Sequence, residues 1–373
     1  MCASTRLRTR FSPTGVLQPH TAHPAATLYP LALNTLLSHG RICASTHHAR
    51  FLFGNIPPKQ QYTMHTPKMK SILLAAATSL AALGLSSSAF AWGNGYSGTI
   101  TGGDAGSTVT VTTAADLKTY ASSSSAYTIV VSGTIDLGDS GRVNVASNKT
   151  LKGANTSATI KGTINLSGVT NVVITKLNVT ANTGAAATND GISVNNSTHV
   201  YITKCSVYDC TDGNIDICKG SDYVTVSWCK FYYTRDNGHN FSNLIGSSDT
   251  DTGGYHITFH HNWWSTGCQQ RMPADRFGPF HLYNNYWDCA GNYYCTTSRN
   301  VSQMLAENNY YNGVSNPLAK QDSGKLKTSG NIFNNCTGTQ ITSSDSVFTP
   351  PYGYTLDATA NVPALVKASA GNR

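Results

Sequence analysis

The chain has 373 residues, of which 40% are hydrophobic and 12% charged, and its formal net charge is +8. All 18 acidic residues lie after residue 91, together with 18 of the 26 lysines and arginines, so the excess positive charge belongs to the first 91 residues. The remainder is formally neutral, and net charge therefore gives no argument for a nucleic-acid or membrane partner. We predict neither.

The first 91 residues divide into two parts. Residues 1–68 are rich in Arg, His, Thr and Pro, without periodicity, and we interpret them as non-native translation upstream of the true start, with an extra domain as the alternative. Met69-Lys70, an apolar run and Ala89-Phe90-Ala91 then predict a secretory signal peptide over residues 69–91, cleaved near Ala91. The apolar run, about 14 residues, is shorter than a membrane-spanning helix needs. We therefore expect a secreted protein.

Residues 92–373 are long enough for one large domain with its own core. Their abundant Ser, Thr, Asn and Gly favour strands and turns over helices. They hold eight of the ten cysteines, an even number that is compatible with disulfides in an exported protein.

An eight-residue pattern that begins V-x-I-T recurs along this domain, as expected for a solenoid. Its copies begin at Val172, Val200, Val224, Ile257, Phe280, Met304 and, more weakly, Leu326. A leucine-rich repeat has a similar period, but its leucine and asparagine framework is absent. We therefore predict an all-β fold, a right-handed single-stranded parallel β-helix with one copy in each coil. The longest gap, before Ile257, predicts a loop that emerges from the coils.

The sixth position of the pattern predicts a ladder of stacked side chains. It holds Leu177, Cys205, Cys229, Asn262, Asn285, Asn309 and Asn331. In adjacent coils, ~4.8 Å apart, the asparagine amides can bond to one another. The aromatic residues that follow them, such as Trp263-Trp264, are expected to be structural. The same phase makes Cys205 and Cys229 neighbours, and we favour a disulfide over two adjacent buried thiols.

Three aspartates form the first candidate site. Asp190 precedes a strand one coil before the strand reached by Asp212 and Asp216, so the three carboxylates are expected to converge. Crowded carboxylates repel one another unless a hard cation such as Ca²⁺ neutralises them. Turn chemistry is the alternative, because Asp is common beside Gly in turns.

The second candidate site is the stretch from Arg271 to Arg276, two coils further on at the same phase. Two arginines on one groove can bind carboxylates in a bidentate manner, which suits an acidic sugar polymer. The alternative is that Asp275 pairs with one of them as a surface ion pair.

These motifs resemble those of the pectate lyases of polysaccharide lyase family 1, in particular the enzymes secreted by plant-associated bacteria. The resemblance spans Ala105 to Ala358. Its motifs are Arg271-x-Pro-x-x-Arg276, Asp216-Ile217 with Lys219-Gly220-Ser221, Val224-Thr225-Val226-Ser227, Gly246-Ser247-Ser248 and Ile257-Thr258-Phe259-His260-His261-Asn262. It implies a right-handed parallel β-helix, bound calcium and β-eliminative cleavage of polygalacturonate by a single catalytic domain.

The resemblance also implies roles for individual residues. Asp190, Asp212 and Asp216 fall on the calcium-ligand positions, Arg271 on the catalytic base, and Arg276 on the arginine that binds a substrate carboxylate.

Three positions depart from the family pattern. Asp212 stands where the family often has Glu, and Tyr201-Ile202-Thr203-Lys204 replaces a W-x-D-H strand. Phe241 replaces a substrate-binding lysine, and Arg235 or Lys219 is expected to supply that cation.

Rival functions are weighed on the same residues. A pectin lyase would act on methyl-esterified polymer without calcium, and the three aspartates argue against it. A hydrolase needs an acid and base pair of carboxylates across the bond, and no suitable Asp pair is found beside a His. A non-catalytic β-helix carbohydrate-binding protein is disfavoured by the two arginines. The expected partner is polygalacturonate, bound by a monomer.

Overall fold

The computed structural model of the protein describes residues 91–138, 141–181 and 190–373. Apart from Ala91, the predicted upstream segment 1–68 and signal peptide 69–91 lie outside the described residues. No helix among the described residues has the length and apolar character needed to cross a bilayer.

Among the described residues, 27 strands, numbered along the chain, form three parallel sheets. Sheet A contains β1 (Ser107–Val111), β2 (Tyr127–Val131), β5 (Lys149–Gly153), β8 (Thr170–Thr175), β11 (Thr198–Thr203), β14 (Asp222–Ser227), β17 (Ile257–His260), β20 (Pro279–Tyr283), β23 (Gln303–Glu307) and β26 (Lys325–Ser329). Sheet B contains β4 (Arg142–Val145), β7 (Thr163–Ser167), β10 (Ile192–Asn195), β13 (Gly213–Cys218), β16 (Phe241–Ile245), β19 (Ala274–Asp275), β22 (Thr296–Ser298) and β25 (Leu318–Lys320). Sheet C contains β3 (Thr134–Asp136), β6 (Thr159–Lys161), β9 (Asn178–Thr180), β12 (Ser206–Tyr208), β15 (Lys230–Tyr232), β18 (Trp263–Trp264), β21 (Tyr286–Trp287), β24 (Tyr310–Asn312) and β27 (Ile332–Asn334).

Each complete coil runs from sheet A to sheet C, then through a loop to sheet B. The first residues of the predicted repeats pair with one another from Val172 to Leu326, so the predicted coil register and the right-handed parallel β-helix are confirmed. The long gap before Ile257 is occupied by residues 246–256, a loop after β16, as the spacing predicts.

A sharp turn joins sheet A to sheet C in successive coils. The residue before each ladder position has a positive φ, between 47° and 56°, at Lys176, Lys204, Trp228, His261, Asn284 and Asn308. This left-handed conformation is usually reserved for Gly and Asn and costs other residues roughly 1–2 kcal/mol. Lys, Trp and His adopt it here because the strands on both sides are fixed by pairing with the neighbouring coils.

The asparagine ladder forms as predicted inside this turn. Asn262 Nδ2 donates to Asn285 Oδ1 (3.1 Å), Asn285 Nδ2 to Asn309 Oδ1 (3.1 Å), and Asn309 Nδ2 to Asn331 Oδ1 (3.0 Å). The aromatic residues beside it are structural, as expected. Trp287 stacks on Trp264 at 4.6 Å, and its other neighbour in the buried stack is Tyr311 at 4.1 Å.

The predicted Cys205–Cys229 disulfide is not formed. Both residues are buried free thiols on the ladder, and all eight cysteines of the described residues are free. Cys205 Sγ donates to Thr203 O (3.4 Å) and Cys229 Sγ to Ser227 O (3.4 Å), so each sulfur points along its own turn. The register that makes the two cysteines neighbours is correct, but parallel side-chain directions leave them as stacked thiols.

Two helices complete the fold. Helix α1 (Ala114–Ser122) is capped at its N-terminus by Thr113, whose hydroxyl accepts a hydrogen bond from Asp116 N. The helix buries Leu117 and Ala121 in the core. Helix α2 (Val362–Ser369) packs beside sheet C against Tyr286.

Candidate active site

The predicted site residues gather on or beside sheet B. Asp216 lies in β13, where it pairs with Ser193 of the preceding coil and Leu244 of the next. Leu244 in turn pairs with Ala274, two residues before Arg276. Parallel pairing therefore brings the acidic and the arginine motifs, far apart in sequence, onto one face.

Asp190 and Asp216 face the same small space. Gly213 lies between them, and a Cβ atom at this glycine would be 2.6 Å from Asp216 Oδ1 and 3.1 Å from Asp190 Oδ1. Asp190 Oδ2 accepts a hydrogen bond from Ser193 Oγ (2.6 Å), but its buried Oδ1 has no hydrogen-bond partner. Glycine at position 213 therefore leaves open a cradle toward which carboxylate oxygens from two coils point.

Burial, and then neighbouring carboxylates, govern the electrostatics of this pair. Burial, with a further contribution from Asp212, raises the pKa of Asp190 to about 6. The pKa of Asp216 is raised well above its ordinary value, first by burial and then by the charge of Asp190, while Arg271 opposes the shift. A cation between the two carboxylates would offset both the burial of their charges and the repulsion between them.

Asp212 is oriented differently from the other two aspartates. Its Oδ1 lies 3.0 Å from His239 Nε2, and 41% of its side chain is exposed. In the described part of the chain, no three His, Cys, Asp or Glu side chains lie close enough together to hold one metal ion. The structure thus brings two of the predicted carboxylates together, while the third contacts a histidine.

Arg271 packs on Phe241, the position at which the sequence resemblance predicts a lysine. Its guanidinium carbon lies 4.7 Å from the centre of the Phe241 ring, a cation–π contact, and the same ring lies 3.8 Å from that of His239. Arg271 has φ +56°, and its carbonyl accepts a hydrogen bond from Asn243 N (2.6 Å). The hydrogen bond from Asn243 fixes the backbone of Arg271, and the Phe241 ring holds its guanidinium group beside β16.

Arg276 is held by the loop after β16. Its Nη1 donates to Gly246 O (2.7 Å), and its Nε lies 3.2 Å from Asp249 Oδ1. Only 17% of the Arg276 side chain is exposed, whereas 78% of the Asp249 side chain is. An exposed carboxylate therefore occupies part of the guanidinium fork in the same way that an acidic sugar could.

The surface ion pair considered for Asp275 is wrong. Asp275 is fully buried, and its carboxylate accepts hydrogen bonds from Ser302 Oγ and Phe277 N. Burial raises its pKa to about 8. Alternation along β19 turns this side chain inward, so it supports the turn that leads to Arg276 from within the core.

Arg299 lies beside the predicted site residues, and the sequence reasoning missed it. Asp275 pairs with Ser298, so Arg299 follows its strand at the position that Arg276 occupies one coil earlier. Its Nε is buried without a hydrogen-bond partner, and burial together with the charges of Arg276 and Arg271 lowers its pKa. Extending the repeat phase by one coil beyond Arg276 would have found it.

Lys219 and Arg235, the two residues predicted to supply the cation missing at Phe241, lie in different places. Lys219 follows β13, is exposed, and has its backbone fixed by a hydrogen bond from its N to Asp251 Oδ2 (2.9 Å). Arg235 lies in the loop between β15 and β16 and lines a cavity of about 270 Å³ together with Tyr233 and Gln269. Lys219 is thus at the end of a site strand, and Arg235 is on a neighbouring loop.

Comparisons with known proteins agree with this arrangement. A family model described as pectate lyase matches residues 62–372. A pectate trisaccharide-lyase of Bacillus licheniformis is 33% identical over 297 residues, covering 74% of this chain and 83% of that protein. One from Thermotoga maritima is 36% identical over 197 residues, 50% of this chain and 52% of that protein. The crystal structure of a pectate lyase from Bacillus sp. N165 in complex with trigalacturonate has 25% identity and a TM-score of 0.65, covering 75% of this chain and 98% of that one.

Proposed function

Because the chain belongs to the pectate lyase family and is thus a polysaccharide lyase, we propose that it is a calcium-dependent enzyme that cleaves α-1,4-linked polygalacturonate by β-elimination. Its products are then 4,5-unsaturated oligogalacturonates. The observation that carries the proposal is the pair of facing carboxylates, Asp190 and Asp216, within the electrostatic reach of Arg271 on one sheet.

The residues of the acidic pair fit a hard cation. Asp190 Oδ1 is buried and lacks a partner, and the cradle over Gly213 has room that a side chain would fill. Calcium would be held by Asp190 and Asp216, with Asp212 as the third ligand in place of its contact with His239. Bound there, calcium supplies Lewis-acid stabilisation of the charge that develops beside the C6 carboxylate of a galacturonate.

The protein's own residues perform the remaining steps. Arg271 is proposed to accept the C5 proton, the C4–O glycosidic bond then breaks to form the C4=C5 double bond, and the departing glycosidic oxygen takes a proton from water. The role of Arg271 comes from family membership, since a guanidinium is ordinarily protonated. What supports this role is its fixed backbone and its packing on Phe241 beside the acidic pair. Arg276 orients a substrate carboxylate by exchanging its Asp249 contact for a bidentate one.

The missing lysine at Phe241 leaves one substrate cation to be supplied from elsewhere. We assign this to Lys219, at the end of β13, with Arg235 as the alternative. Arg299 adds a further positive charge beside Arg276. We also propose that the enzyme is secreted through its signal peptide and acts as a monomer.

One assay tests the proposal. The protein is incubated with polygalacturonate and calcium, with and without chelator, and the absorbance of unsaturated uronate is followed. We expect product only when calcium is free, and little from highly methyl-esterified pectin. Reducing ends without unsaturated product would indicate a hydrolase, and chelator-resistant cleavage of esterified polymer would indicate a pectin lyase.

A further inference from the structure

The corner between sheets A and C carries a row of lysines that the proposed chemistry does not use. Lys152 lies in β5 and pairs with Thr175, the residue before Lys176. Lys204 follows Thr203, which pairs with Thr175, so it lies one coil beyond Lys176. Because adjacent coils are ~4.8 Å apart, three ammonium side chains are spaced along the helix axis on one corner.

A cavity of about 280 Å³ opens at this corner. It is lined by two of the lysines together with an arginine, polar side chains and an indole, namely Lys152, Lys176, Arg373, Asn155, Thr156, Asn372 and Trp92. None of its described lining residues has an acidic side chain. One lining residue is hydrogen-bonded to a carboxylate, because Trp92 Nε1 donates to Asp104 Oδ2 (3.0 Å).

No carboxylate side chain of the described residues neutralises the two lysines that line this cavity. Among the described residues, neither Lys152 nor Lys176 takes part in an ion pair, whereas Lys320 lies 2.8 Å from Asp345 and Lys367 lies 3.2 Å from Asp288. The side chains of residues 92–373 have no net charge, so a concave site lined by Lys152 and Lys176, with no acidic side chain, is a local concentration of positive charge. Such a site attracts anions.

We propose that this corner, defined by Lys152, Lys176 and the cavity they line, is a second, non-catalytic binding site for a uronate-bearing polysaccharide chain. Ammonium groups pair with the sugar carboxylates, and the Trp92 indole offers an apolar surface to a sugar ring. Asn155 Nδ2 and Asn372 Oδ1 offer hydrogen bonds to hydroxyl groups, since Asn155 Oδ1 accepts from Ser157 and Asn372 Nδ2 donates to Thr156 O. The identity of the ligand rests on the proposed function. The site would hold the polymer on a different side of the coils from sheet B.

The test removes two charges while keeping polar side chains at both positions. The corner variant is Lys152→Gln/Lys176→Gln, and its matched control is Lys325→Gln/Lys327→Gln, two exposed lysines of the same sheet in β26. Binding is measured by native electrophoresis in gels that contain polygalacturonate and chelator, so that no turnover occurs. We expect the dissociation constant of the corner variant to rise roughly tenfold, with the control within about twofold of the parent.

Activity and a second polymer separate the possible outcomes. Both variants should cleave trigalacturonate with calcium at the parent rate and melt at the parent temperature. A corner variant that is retarded as strongly as the parent overturns the proposal, and so does a parent that polyglutamate retards as strongly as polygalacturonate. A parent that gives no unsaturated product would contradict the proposed function, whereas the gel measurement judges the corner independently.

Discussion

The buried carboxyl of Asp275 should make the folded protein lose stability as the pH rises, and Asp275→Asn should abolish that loss. The folded state raises the pKa of this group from 3.8 to about 8. Each pKa unit corresponds to about 1.4 kcal/mol, so the full shift is on the order of 6 kcal/mol in the free energy of unfolding. Since the folded state keeps its proton to higher pH, the contribution is complete below about pH 4 and disappears as the pH rises through 8.

Asparagine suits the site because it is neutral at every pH. Its amide oxygen can accept from Phe277 N and its NH₂ group can pair with Ser302 Oγ. Denaturant unfolding from pH 4 to pH 9, in chelator, measures the parent, Asp275→Asn and the exposed control Asp322→Asn. We expect the first variant to match the parent at pH 4 and to exceed it by several kcal/mol at pH 9. Parallel curves for the parent and Asp275→Asn would refute the reasoning.

Three further predictions concern catalysis, metal and fold. Arg271→Lys should fold and bind polygalacturonate yet lose most of its turnover, because lysine keeps the charge but not the guanidinium geometry; turnover within a few-fold of the parent would remove Arg271 from the catalytic role. Asp216→Ala should raise the calcium concentration for half-maximal activity without unfolding the protein, and an unchanged calcium dependence would exclude it as a ligand. Asn285→Ala should lower the free energy of unfolding by roughly 3 kcal/mol, because its buried amide donates to two backbone carbonyls and to Asn309. Asn331→Ala, at the end of the ladder, should cost less because its amide donates only to Ala306 O, and equal losses would mean that these hydrogen bonds do not set the cost.

Features that depend on the phase of the repeat were predictable from the sequence. The coil register, the asparagine ladder and the gathering of Asp190 and Asp216 all follow from it. In a parallel β-helix, residues at the same phase stack whatever lies between them, so the spacing along the chain translates directly into contact.

Features that depend on the direction of a side chain were not predictable from the sequence. The disulfide was expected because Cys205 and Cys229 share a phase, but the turn points both sulfurs the same way. Asp275 was considered for a surface ion pair because arginines flank it, yet the strand turns it into the core. Arg299 lay one coil past the motif and was overlooked.

The sequence by itself therefore determined which residues share a face, because a 22–33-residue repeat fixes the fold and its register before any contact is known. Only the tertiary structure decided what each side chain does there. Packing of neighbouring coils set the left-handed turns, the rotamers and the burial of side chains. As a result, Asp212 contacts His239 and Arg271 packs on Phe241. The same packing places Lys152, Lys176 and Arg373 around one cavity at the corner between sheets A and C. These outcomes depend on atoms from several coils at once, and no local stretch of sequence contains that information.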